Sequence, residues 1–165
     1  MTITKVSDLS DLLGQARQDP HKSFPAILKL AKSEDWKERE VAATLLVEAS
    51  KKNPDQIVAE MLGWADHSNP NVRRTASEGL RDVARKQPKL VLPVVEKLKA
   101  DRNLYVKKSV ANVLRNASNY HPQFVLKVCT DWARGKNPDT AWIIKDSLRK
   151  LRLKHPDQVT KIISG

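Results

Sequence analysis

Residues 54–87 read PDQIVAEMLGWADHSNPNVRRTASEGLRDVARKQ, and the same plan returns one unit later from Pro88. Prolines stand at Pro20, Pro54, Pro88, Pro122 and Pro156, each 34 residues after the last. Other columns keep that register: Asp35, Asn69, Asn103 and Asn137, then Leu46, Leu80, Leu114 and Leu148. A fixed period of this length marks one supersecondary unit stacked along a line. Inside the unit, Ile57, Val58, Met61, Leu62 and Ala65 recur at helical spacing, as do Val91, Leu92, Val95 and Leu98. The first helix of each unit starts at the proline, whose missing N–H costs nothing in a first turn, and Asp19 or Asn53 before it can cap. The second starts after the Asn or Asp column, at about 36–52, 70–86, 104–119 and 138–154. Segments 8–18 and 21–32 form an atypical first pair.

The expected fold is therefore all-α, a helical-repeat solenoid (an α-α superhelix) with 34-residue repeats, forming one domain over residues 1–165. Residues 1–35 supply the N-terminal capping pair and 36–165 the repeats. The tetratricopeptide columns of Trp, Leu-Gly and Tyr are missing. A turn ending in Asn or Asp, followed by Val72-Arg73-Arg74 or Val106-Lys107-Lys108, resembles a short HEAT-like repeat. In such repeats a basic residue after the Val braces the inter-helix turn, the role expected for Arg73 and Lys107.

Composition narrows the function. The chain of 165 residues has 30 Lys and Arg against 19 Asp and Glu, a net charge of +11 that attracts polyanions. No apolar run approaches the roughly 20 residues of a membrane span, and the N-terminus lacks a secretory layout, so a cytoplasmic protein with no membrane partner is expected. The one cysteine, Cys129, shares a column with Met61 and Val95 and reads as a core side chain. No His, Cys or carboxylate spacing suits a metal, no Gly-rich loop cradles phosphate, and no Ser-His-Asp or Cys-His set stands out, so neither metal nor cofactor is expected.

The charge is concentrated. Segments 70–86, 104–119 and 138–154 each carry +3, whereas 54–66 carries −3. Within the second helices, positions four and seven apart share a face, which groups Arg74, Glu78 and Arg81, then Lys108, Asn112 and Arg115, then Trp142, Asp146 and Arg149. The register sets these groups side by side, so Arg81, Arg115 and Arg149 form a column of cations suited to phosphates. One polar stripe is ordinarily a solvated helix face; three in register point to a partner. Trp142 stands where earlier units place Glu40, Arg74 and Lys108, and either stacks on a base or caps the end of the core. Trp64 and Trp132 share a column with Leu98 and read as core, while Trp36 stays undecided. His121 and His155, directly before repeat prolines, read as turn or cap residues.

Three motifs between Trp64 and Arg149 resemble the bacterial DNA alkylation repair family, the HEAT-like alkylpurine DNA glycosylases AlkC and AlkD, and AlkC most closely. Asn71 to Gly79 is similar to the family's NxxVRRLASEG, Tyr105 to Asn112 to the start of YVRKSVANHLND, and Thr140 to Ile144 with Leu148 and Arg149 to TRWIVRHALR. The resemblance implies binding of damaged duplex DNA in a cationic concave groove and hydrolysis of the N-glycosidic bond of an alkylated purine. That reaction leaves an oxocarbenium-like sugar, which a carboxylate must stabilise while it positions water. By the resemblance Glu78 is the candidate catalytic residue. Arg74, Arg81, Lys108, Asn112, Arg115, Trp142, Lys145 and Arg149 are the candidate DNA-binding residues. Two expected carboxylates are replaced, by Ala43 and by Asn116, and a family Trp by Lys86.

Binding and catalysis separate on these grounds. The expectation is a monomeric HEAT-like protein that binds duplex or damaged DNA, nucleoid-associated when bound, with weak or absent glycosylase activity. One alternative is an active glycosylase excising 3-methyladenine or 7-methylguanine. Another is an interaction scaffold whose basic groove takes an acidic protein.

Overall fold

The computed structural model describes residues 6–165 as helices joined by short turns. In chain order they are α1 (Val6–Gln18), α2 (Pro20–Ala31), α3 (Trp36–Ser50), α4 (Pro54–Trp64), α5 (Pro70–Glu78) and α6 (Arg81–Lys86). Then come α7 (Pro88–Leu98), α8 (Leu104–Ser118), α9 (Pro122–Ala133), α10 (Pro138–Ser147), α11 (Leu151–Lys154) and α12 (Pro156–Ser164). No strand occurs among the described residues, and no helix there is long and apolar enough to cross a membrane. The proline column opens α2, α4, α7, α9 and α12, so the register already holds at α2, which packs against α3, while α1 stacks on both.

The column of Asp35, Asn69, Asn103 and Asn137 caps the second helices as its chemistry dictates. Each side-chain oxygen accepts from the backbone N–H two residues on, at 2.9–3.0 Å, and Asn103 and Asn137 accept a second bond from Val106 and Thr140. Each cap is worth about 1 kcal/mol. The residues before the prolines do something else. Asp19 and Asn53 make no cap bond, because their backbone turns away from the extended conformation that aims a side chain at the first turn. Asn53 Nδ2 instead donates to the Arg17 carbonyl at 2.9 Å, and His121 Nε2 meets the Arg85 carbonyl at 2.9 Å, where the ring nitrogen must donate. These side chains tie one unit to the previous one.

Two layers result, with unequal filling. Both layers bury large side chains, Phe24, Met61, Trp64, Leu98 and Trp132 in the first and Leu45, Leu46, Leu80, Leu114 and Leu148 in the second, but the second also buries a run of small residues: Ala42, Ala43, Ala76, Ser77, Gly79, Ala111 and Ala117. Successive second helices consequently pack more closely than successive first helices. A stack whose layers differ in spacing curves toward the tighter one, so α3, α5–α6, α8 and α10–α11 line the inner surface. Trp64, Trp132 and Cys129 are core, as the columns predicted, and burial pushes the Cys129 thiol up to about 12.

Two second helices expected to be continuous are broken, at Gly79–Leu80 and at Leu148–Lys150. Gly79 and Ser147 share a column with Leu45 and Val113, whose helices run unbroken. Glycine weakens a helix interior, and the Ser147 hydroxyl donates back to the Ile143 carbonyl at 2.7 Å, a bond that bends helices. Gly79 also permits a close approach: a Cβ there would meet Leu46 Cβ and Cδ1 at 2.9 Å. Leu46 is fully buried and has no room to retreat. Gly79→Ala should therefore destabilise the protein by about 1–2 kcal/mol despite its better helix propensity, read as a lower midpoint in urea unfolding.

Candidate nucleic-acid interface

The inner surface is built from three rows that the repeat sets side by side. The outer row holds Glu40, Arg74, Lys108 and Trp142; the middle row Thr44, Glu78, Asn112 and Asp146; the third row Val47, Arg81, Arg115 and Arg149. All but Arg149, which falls in the break between α10 and α11, sit on the second helices, at positions four and seven residues apart that share one face. Valines, alanines and isoleucines on the opposite face, such as Val72, Ala76, Val106, Val110, Ile143 and Ile144, are buried and fix the phase.

The cation column is engaged by carboxylates. Arg115 Nη1 donates to Asp146 Oδ2 at 2.7 Å and to the Asp146 carbonyl at 3.0 Å, with both side chains largely buried. Arg149 Nε lies 2.9 Å from the other oxygen of Asp146, and its side chain remains 64% exposed. Arg81 Nη1 stands 3.4 Å from Glu78 Oε2 and 3.7 Å from Glu40 Oε1. The sequence grouped these residues correctly on one face, but the pairing of Arg115 with Asp146 and of Arg81 with Glu40 reaches across units. A separation of 31 residues, one turn short of the period, is the signal that could have disclosed the Arg115–Asp146 contact.

The outer row differs. Among the described residues Arg74, Lys108 and Lys145 have no carboxylate within ion-pair distance. Lys108 is exposed beside the Tyr105 ring, its Nζ 5.6 Å from the centroid, and Arg74 is half-buried. Lys145 lies farther round α10, lining a cleft of about 290 Å3 with Ile144 and Ile162 at the C-terminal end of the stack. Trp142 is half-buried against the core with Lys107 Nζ 6.0 Å from its ring, so it covers apolar surface and keeps one side accessible.

Arg73 and Lys107 brace the turns. Arg73 Nη1 donates to the carbonyls of His67 and Ser68 at 3.0 Å, and Nε pairs with Asp101 of the next unit at 2.8 Å. Arg39 repeats the first contact on Ser33 and Glu34, and Lys107 pairs with Asp139. Glu78, the candidate catalytic carboxylate, is largely buried and spent on Arg81. Ala43 is buried in α3, and Asn116 is half-buried in α8. No cluster of His, Cys, Asp and Glu suited to a metal occurs among the described residues.

Residues 24–115, more than half of the chain, match the family model of HEAT repeats. The chain is a HEAT-repeat protein. No curated protein matches it at the sequence level. Among solved structures it is similar to the Pseudomonas fluorescens alkylpurine DNA glycosylase AlkC bound to DNA containing an abasic site analog, with a TM-score of 0.77 and 28% identity. That likeness covers 94% of this chain and 44% of AlkC, so the HEAT-repeat chain spans less than half of that relative. AlkD2 from Streptococcus mutans aligns with a TM-score of 0.70 and 26% identity over 83% of this chain and 69% of AlkD2. The resemblance to the AlkC and AlkD family, drawn above from three motifs, therefore extends to the three-dimensional fold.

The shared carboxylate gives a clear asymmetry. Asp146→Ala should cost about 1–2 kcal/mol, because Arg115 is left largely buried without its partner, whereas Arg149→Ala should cost under about 0.5 kcal/mol. Thermal or urea melts of the two variants check this.

Proposed function

We propose that this HEAT-repeat protein binds DNA along its inner surface and has weak or no glycosylase activity. The observation that carries the reading is the outer row: Arg74 and Lys108, one unit apart on the second-helix layer, lack carboxylate partners among the described residues. Cations spent on internal ion pairs hold the protein together; unspent ones are available to phosphates. The exposed Arg149 guanidinium adds a contact at the rim, since Asp146 neutralises only part of its donor set. The likeness to AlkC, solved on DNA, supports the same occupant. Arg81 and Arg115 contribute by holding Glu78 and Asp146 in place, so that two carboxylates do not face the phosphates unscreened.

The catalytic side of the proposal rests on what the carboxylates do. An oxocarbenium-like transition state needs an ionised carboxylate free to face the sugar. Glu78 is committed to Arg81, and the positions that the family resemblance assigns to further carboxylates hold Ala43 and Asn116. Binding without efficient base release is the outcome this chemistry supports.

Fluorescence anisotropy of labelled duplexes across a salt series tests the binding. Affinity should fall steeply with salt, and Arg74→Ala with Lys108→Ala should weaken binding by about ten-fold or more and lower the slope by about two phosphate contacts. A double variant with unchanged affinity and slope would overturn the groove. On alkylated DNA, the protein should release 3-methyladenine or 7-methylguanine at the level of buffer alone or only slightly above it. Release that disappears in Glu78→Gln would establish an enzyme instead.

A further inference from the structure

One margin of the inner surface carries a row that no phosphate explains. The first position of each second helix is apolar in every unit: Trp36, Pro70, Leu104 and Pro138. Trp36 is 63% exposed, Leu104 45%, and the adjacent Tyr105 61%. The prolines suit a first helical turn, so the exposed apolar surface of this margin is Trp36 with Leu104 and Tyr105, the last one position off the column. Its facing is fixed by Glu40 and Thr44, which follow Trp36 at four-residue intervals on the same helix face. All three line a cleft of about 320 Å3 whose far wall is Leu9 and Leu13 of α1. Glu40 in turn reaches Arg81, so the strip opens into the groove rather than away from it.

The two exposed aromatics of this margin each have a lysine at hand. Lys37 Nζ lies 6.0 Å from the Trp36 centroid, and Lys108 Nζ lies 5.6 Å from that of Tyr105. An aromatic face beside a free cation suits a nucleotide, the ring for the base and the ammonium for its phosphate. A duplex hides its base faces, so only unpaired bases can use such a strip. Stacked helices lie 8–10 Å apart, which separates Trp36 from Tyr105 by roughly 16–20 Å across two units, room for a short run of nucleotides.

We infer that this margin binds single-stranded DNA continuous with a duplex in the groove, Trp36 and Tyr105 stacking on its bases. The inference rests on the groove reading and narrows it to duplexes with an unpaired segment.

Anisotropy with a short blunt duplex and the same duplex bearing an oligothymidine tail tests it. The tail should tighten binding at least about five-fold. Trp36→Ala with Tyr105→Ala should erase that gain while leaving blunt-duplex affinity unchanged. Trp36→Phe with Tyr105→Phe should restore it, since the stacking faces remain. Equal affinity of the wild-type protein for both duplexes overturns the proposal, as does a gain that survives in the alanine variant. Loss of blunt-duplex binding in Arg74→Ala with Lys108→Ala reads the groove independently, so failure of the strip and failure of the groove are told apart.

Discussion

Everything in this molecule depends on where each second helix begins. An Asn or Asp oxygen accepts from the backbone N–H two residues on, and in the first three of these helices an Arg or Lys four residues later braces the turn or pairs with the next one. Together they set the phase of the helix to within a residue. A shift of one residue would rotate the helix by about 100°, carrying Val72 or Val106 out of the core and Arg74 or Lys108 away from the groove. The cap is thus a device for aiming side chains as much as for ending a turn.

Curvature follows from side-chain size. Alanine, serine and glycine set among the leucines of the second-helix layer let those helices approach, while tryptophan, phenylalanine and methionine on the other layer hold helices apart. The charged residues of several units then fall together on the inside of the bend. Arg74 gains its setting from its neighbours in the stack rather than from its own helix.

Much of this was legible in the sequence because a repeat repeats its reasons. The proline, Asn and Leu columns gave the helices, and the Trp64, Leu98 and Trp132 column gave the core. The helix breaks were not legible, because Gly79 and Ser147 look harmless until the close contact with Leu46 and the back-bond to Ile143 are known. Nor was the role of Asn53 or His121, which depends on a backbone angle before the proline rather than on residue type. At the site, sequence placed Arg81, Arg115 and Arg149 on one face but missed that Glu40 and Asp146 claim them. Periodicity assigns a face; it is blind to a side chain leaning into the adjoining unit. Trp36 stayed ambiguous for the related reason that exposure at a helix start depends on what α1 leaves uncovered.

The ties between units all stay short in sequence: Asn53 to Arg17, Arg73 to Asp101, Arg115 to Asp146 and Trp132 to Glu96 each span between 28 and 36 residues. No described hydrogen bond reaches beyond 41 residues, the span of Thr140 to Lys99. Such a chain has a low contact order, and each unit finds its partners as soon as the next has been made. During synthesis, then, the protein need never wait for its far end: the groove assembles one rung at a time behind the ribosome, and little apolar surface stands open while it grows.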